Sequence, residues 1–260
     1  IKLSSSWEPL GTLKERADKP GNGTNILPFS GNIDGNGHTL TFAKGSKPLF
    51  GYVRDAKVSN LNIFGTYIDG YGLVENYVVD YGKDGKNWTD DDPKAVITAE
   101  KVTIKSGTRI HQSGFLGGYA SGIDHADFTN CTIEQGVTIG CNIDGTSAGL
   151  SNIGSFGGAL NGTIKNCVSY ATVYGDSNVG GIAGIRGQST DIFSIENCAF
   201  HGIINATGNN IGGILGSGYY MYNAPNAFGA VIKNCTVDGN ISGRNNIGGI
   251  FGAEAGIDQA

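Results

Sequence analysis

Charge is scarce in this chain. Asp, Glu, Lys and Arg make up 16% of its 260 residues, and no run of Lys or Arg forms a stripe that could neutralise a phosphate backbone. With a formal net charge of -5, the composition argues against nucleic acid as a partner. No stretch of 18 apolar residues exists to span a bilayer. The opening residues, Ile1 to Glu8, lack the basic and apolar segments of a signal peptide, as the opening of a mature or excised segment would. Proline is rare, at 6 residues, and glycine does not recur at every third position, so collagen is excluded. No CxxC pair offers the close spacing of a zinc or redox site.

Glycine, by contrast, is abundant at 44 residues, and apolar residues reach 39%, enough to argue against disorder. The combination suggests many tight backbone passages joined to short, buried strands. Five cysteines stand at 131, 141, 167, 198 and 235, and four of them follow asparagine: TNCTI at 129–133, KNCVS at 165–169, ENCAF at 196–200 and KNCTV at 233–237. These copies are 36, 31 and 37 residues apart, a period that signals repeat architecture. A second marker runs beside the first, as NVGGIAG at 178–184, NIGGILG at 210–216 and NIGGIFG at 246–252.

Between the markers the apolar period is two: Ile232, Cys235 and Val237 inward, Lys233 and Thr236 outward, with a phase shift at Asn234. A helix would lose about 1 kcal/mol at each glycine of the pairs, so strands are expected. A unit such as 210–240 supplies three extended pieces, Ile211–Leu215, Val231–Val237 and Asn240–Ser242. Such pieces can pair with their counterparts in the next unit. Propellers need four strands per blade, and leucine-rich repeats need their own framework. The reading is therefore an all-β chain, a right-handed parallel β-helix solenoid with irregular loop insertions and about seven to nine rungs. Residues 1–28 form an N-terminal cap or approach segment, with Trp7, Leu10, Leu13 and Ile26 covering the first rung. Residues 29–252 form the repeat domain, with insertions at about 67–96 and 217–229, and 253–260 are a tail or truncated repeat.

In this arrangement Asn130, Asn166, Asn197 and Asn234 occupy equivalent bends, where asparagine tolerates a left-handed backbone and its amide can bond the neighbouring rung. Asn60 fits the same place in an earlier rung. Cys131, Cys167, Cys198 and Cys235 then form an interior column, read as small hydrophobes rather than disulfides. Cys141 falls outside it.

The motifs NVGGIAG, NIGGILG and NIGGIFG, each linked to an asparagine-cysteine strand, resemble the GLUG repeats of secreted and cell-surface bacterial proteins. FSGNIDGNGHTLTF at 29–42 and PLFGYVRDAKVSNLNIFGT at 48–66 are similar to the rungs that precede such repeats. The resemblance covers nearly the whole chain, most strongly 111–252. It implies a secreted or cell-surface bacterial address and a place within a longer polypeptide carrying further domains. It implies no family-wide chemistry.

Function is then expected where the repeat is interrupted, since insertions leave a solenoid as loops. The aromatic loops single out Tyr81, Trp88, Tyr220 and Tyr222 as ligand-binding candidates, because aromatic faces beside polar groups suit sugars and protein surfaces. The expected function is a noncatalytic, adhesin-like surface module that binds glycan or host protein. The alternative is a polysaccharide lyase or glycoside hydrolase. A lyase needs a base and a cation, for which Lys105, Arg109, His111, His125, Asp124 and Asp127 are the candidate set. A hydrolase needs two carboxyl groups at defined separation, and no spacing forces such a pair. His38 and His201 read as surface or turn residues. No cofactor or metal is expected: Asp90, Asp91 and Asp92 are calcium candidates, but three adjacent acids do not make the alternating EF-hand loop. Direct membrane insertion is not expected.

Overall fold

The computed structural model describes residues 1–4, 6–15, 24–77, 95–116, 123–187, 193–218 and 230–253. Among these residues the regular structure is entirely β, with no helix. Successive repeats pair strand on strand. Gly162–Lys165, Phe193–Glu196 and Ala230–Lys233 lie side by side, and Ile164, Ile195 and Ile232 are direct partners. These pairings are parallel, as are those of Thr132–Ile133, Val168–Ser169, Ala199–Phe200 and Thr236–Val237. Three further parallel sheets are built in the same way.

Five short strands per repeat appear where three were expected from sequence. The piece expected at 211–215 divides into Asn209–Gly212 and Leu215–Ser217, and the piece at 231–237 divides into Ala230–Lys233 and Thr236–Val237. The breaks have two causes. One is a left-handed backbone: of the twelve non-glycine residues with positive φ among the described residues, ten are asparagine. Asn234 bends one strand in this way, at φ 52°.

The other break is the glycine pair, where φ is not left-handed and space decides. A Cβ on Gly181 would lie 2.1 Å from the Gly213 carbonyl oxygen and 2.4 Å from the Phe200 ring. The pairs thus admit close passage of backbone against core rather than a reversal of the chain.

All the stacks contribute to one continuous apolar cluster, which includes Ile164, Cys167, Phe200, Ile204, Ile211 and Leu215. Phe115, Phe128 and Phe156 fill its middle without exposure, and the rings of Phe115 and Phe156 stack at 5.1 Å and 7°. At the N-terminal end Lys2–Leu3 pairs with Thr41 and Phe42. Leu3, Trp7 and Leu10 pack on the core, and Trp7 Nε1 donates to the Pro48 carbonyl at 3.1 Å. Thr12–Glu15 and Thr24–Leu27 form an antiparallel hairpin, which holds Leu13 and Ile26 as partners.

The expected insertion at 67–96 is shorter than its bounds. Ile68 bridges Ser46 and Ile110, and Val74–Tyr77 pairs with Phe50–Gly65, because Ile68, Leu73 and Val74 are wholly buried core residues. From the other side, Val96 is already paired with His125. Similarly, Ser217 belongs to a paired strand. Residues 78–94 and 219–229 lie outside the described residues.

The asparagine and cysteine columns follow from the register. Asn166 Nδ2 donates to Asn130 Oδ1 at 3.4 Å, and Asn197 to Asn166 and Asn234 to Asn197 at 3.2 Å each. These side chains are exposed at the bend, because the left-handed turn throws the side chain out of the strand's alternation. A second ladder joins Asn178 to Asn152, Asn210 to Asn178 and Asn246 to Asn210 at 2.8–2.9 Å.

Cys131, Cys167 and Cys198 are buried and Cys235 is partly exposed; all are free thiols. The backbone N–H of Cys131 points at Cys167 Sγ and that of Cys167 at Cys198 Sγ, each at 3.4 Å. Burial pushes the Cys167 thiol far above its ordinary range. Cys141, outside this column, is also free and buried, and desolvation raises its thiol too.

Candidate functional site, a groove across four repeats

The site arises from a change in turn length. Register aligns Ile104, Ile133, Ser169, Phe200 and Val237 on one side of a bend, and Arg109, Thr138, Thr172, Ile203 and Asn240 on the other. Four residues, 105–108 and 134–137, cross the bend in the first two repeats. Both are hydrogen-bonded turns, closed by Thr108 N–H to Lys105 and by Val137 N–H to Glu134. Gly107 at φ 84° and Gly136 at φ 88° supply the left-handed third position that such turns require.

In the following repeats only two residues cross: Tyr170-Ala171, His201-Gly202 and Asp238-Gly239. The chain there runs close in. A Cβ on Gly202 would stand 2.0 Å from the Ala171 carbonyl oxygen. The step from wide to narrow turns leaves a groove of about 500 Å³ on the outer surface, lined by Gln135, Gly136, Tyr170, Thr172, His201, Gly202, Ile203 and Asp238.

One wall is a side-chain column. Tyr170 and His201 stack with centroids at 5.0 Å and planes at 25°. His201 Nδ1 lies 2.5 Å from Asp238 Oδ1, which fixes the ring's orientation. The other wall is Thr172 and Ile203. Tyr170 is 41% and Ile203 42% exposed, apolar area that the fold leaves to solvent. The next member of the column, Glu134, turns away: Lys105 Nζ and the Ser106 N–H hold its carboxylate. Burial opposes its ionisation, yet those partners bring its pKa below the ordinary carboxylate value. Backbone bonds pin both walls, including His201 N–H to Ser169 and Ile203 N–H to Ala171. The groove is thus preformed.

The lyase candidates are distributed elsewhere. Lys105 is engaged by Glu134, Arg109 Nη1 donates to the Ile143 carbonyl at 3.3 Å, and His111 Nδ1 lies 3.2 Å from the Cys141 carbonyl. His125 lies on Ile123–Thr129, aligned with Val96, nine residues before Lys105, and its Nε2 is 3.1 Å from Asp127 Oδ1. Asp127 Oδ1 also accepts from the Thr163 N–H. Asp124 occupies the same strand, and its side chain lies outside the described residues. The ligand-binding candidates Tyr81, Trp88, Tyr220 and Tyr222, and the calcium candidates Asp90, Asp91 and Asp92, also lie outside them. Among the described residues no group of three or more His, Cys, Asp or Glu is arranged to hold a metal ion.

Sequence reasoning missed Tyr170 and Asp238 and read His201 as a turn residue. The signal was present: Glu134, Tyr170, His201 and Asp238 each stand three residues after a column cysteine.

No protein-family model matches this chain, and no curated protein does. One solved structure is similar. It is the crystal structure of a putative immunoglobulin A1 protease from Bacteroides ovatus, at a TM-score of 0.50 and 17% identity. The match covers 85% of this chain and 65% of that one, less than two thirds of its length. At that identity the likeness concerns fold alone.

Proposed function

We propose that this chain is a right-handed parallel β-helix of GLUG-like repeats, and that it serves as a noncatalytic binding module for glycan or host protein within a larger secreted bacterial protein. The observation that carries the functional reading is the groove. It is preformed, open, bounded by an exposed tyrosine and isoleucine, and furnished with Asp238, His201, Thr172 and Gln135 as polar partners. Apolar faces beside a few fixed polar groups are the usual composition of a small-ligand site.

In-register parallel pairing of five strands per repeat supports the helical reading of the fold. The name of the Bacteroides ovatus structure attaches protease activity to its own chain, and this chain covers only part of it. The lyase or hydrolase alternative has less support, because Lys105, Arg109 and His111 are engaged separately while His125 lies on another strand.

The test is to incubate the purified chain with a broad panel of glycans and host surface proteins while following both binding and product formation. Saturable binding without turnover is expected. Turnover abolished by replacing His111 or His125 would overturn the noncatalytic reading, and a crystal structure of opposite hand would overturn the fold.

A further inference from the structure

Resting on the groove as the binding site, we infer its ligand class: a neutral hexose oligosaccharide of two to three units, laid along the direction in which the repeats stack.

The walls repeat with the strands, at about 4.8 Å per repeat. Two of the repeats offer the same elements, a column side chain and an opposing wall residue: Tyr170 with Thr172, and His201 with Ile203. An equatorially linked hexose chain advances by close to one such spacing per sugar, so successive rings meet successive repeats. An extended peptide presents same-face side chains every two residues, about 6.6 Å apart, and drifts out of register with the walls within two repeats.

Stacking orients the platform. His201 covers one face of the Tyr170 ring, and Glu134 on the other side is drawn off by Lys105 and Ser106. Tyr170, 41% exposed, is thus left as the apolar surface that a sugar chain running past the ledge of Gln135 and Gly136 meets.

Hydrogen-bonding capacity gives the polarity. Asp238, an exposed carboxylate, accepts only. Thr172 and Gln135 donate and accept. The groove thus offers acceptors to sugar hydroxyls. No lysine or arginine is among its lining residues, and an exposed carboxylate stands at one end. Uronate and sulfated chains would meet like charge.

The experiment is titration calorimetry of the full chain with three probe sets: neutral hexose oligosaccharides of one to six units, oligogalacturonates of equal length, and host surface proteins. Affinity should rise with neutral chain length and level off at three units. Oligogalacturonates should bind at least tenfold more weakly. Tyr170→Ala should reduce affinity at least tenfold and Asp238→Asn several-fold, whereas Tyr170→Phe should stay within about threefold. Ile203→Lys extends a long side chain into the groove from an exposed position and should abolish binding, which keeps the test decisive should Tyr170→Ala fail to fold.

Equal or tighter binding of oligogalacturonates would overturn the ligand class and leave the module reading standing. Neutral binding untouched by Tyr170→Ala and Ile203→Lys would overturn the groove as the site. Binding of a host protein alone would overturn the glycan assignment and spare the broader function. Absence of all binding would overturn both.

Discussion

Lys101 interrupts the first asparagine ladder, and its replacement tests how that ladder contributes. Register places it between Asn60 and Asn130: Leu61 pairs with Val102, and Thr103 with Thr132. Its φ is 53°, the left-handed bend that asparagine occupies on either side at 51° and 55°. A left-handed backbone costs an ordinary L-residue about 1–2 kcal/mol, and asparagine bears less of that penalty. In Lys101→Asn the new amide would donate to Asn60 Oδ1 and accept from Asn130 Nδ2, following the direction of the existing bonds. At exposed positions two such bonds contribute about 0.5 kcal/mol each. The ion pair given up, Lys101 to Glu100 at 3.6 Å, joins a side chain that is 61% exposed, so little is lost with it. The net gain should be about 1–2 kcal/mol, or a Tm rise of roughly 3–6 °C for a domain of this size. Urea and thermal unfolding would be followed by circular dichroism and by tyrosine fluorescence, whose midpoints must coincide for the comparison to hold. Lys101→Gly separates the two effects, since it relieves φ without supplying an amide. If Lys101→Asn is no more stable than the parent, the reasoning fails. If Lys101→Gly gains as much, the amide ladder contributes nothing.

Phe156→Ala should destabilise the protein by about 3–5 kcal/mol, because it empties a fully buried ring site stacked on Phe115; a loss under about 1 kcal/mol in urea unfolding would contradict the packing described. Thiol labelling of the native protein should modify Cys235 first and leave Cys131, Cys141, Cys167 and Cys198 protected, with all five reacting in denaturant; fewer than five under denaturing, non-reducing conditions would reveal a disulfide. Because the folded pKa of Glu134 is lowered, its stabilisation is fully present above its unfolded value of about 4.3 and is lost as pH falls through the folded one. Glu134→Gln should therefore flatten the acid limb of a Tm-against-pH curve, and an unchanged limb would show the pairing with Lys105 to be inconsequential.

The all-β character and parallel stacking were legible because two signals agreed, an apolar period of two and the asparagine-cysteine marker recurring at 36, 31 and 37 residues. Where the sequence misled, space was the reason. The piece at 211–215 reads as one strand in sequence, and it is the neighbouring backbone of Gly249 and the Val237 side chain, both too close for a Cβ on Gly213, that mark the break within it. Residues 67–77 looked like an aromatic insertion, because burial of Ile68, Leu73 and Val74 depends on strands far away in the chain. The groove was obscured for a related reason. Its residues run from 135 to 238 and come from four separate turns, and only alignment of the repeats reveals that two turns have four residues where three have two.

That difference in turn length makes the location of the groove a matter of counting rather than of residue identity. The ledge stands wherever a wide turn is followed by a narrow one, so lengthening Tyr170-Ala171 by two residues, with glycine at the left-handed position, would carry the ledge one strand spacing along the stack. The pocket would then open beside His201 instead of Tyr170, while the paired strands beneath kept their register. In a scaffold of this kind a binding site can be moved in steps of about 4.8 Å by insertion or deletion in one surface bend, a change the core does not register.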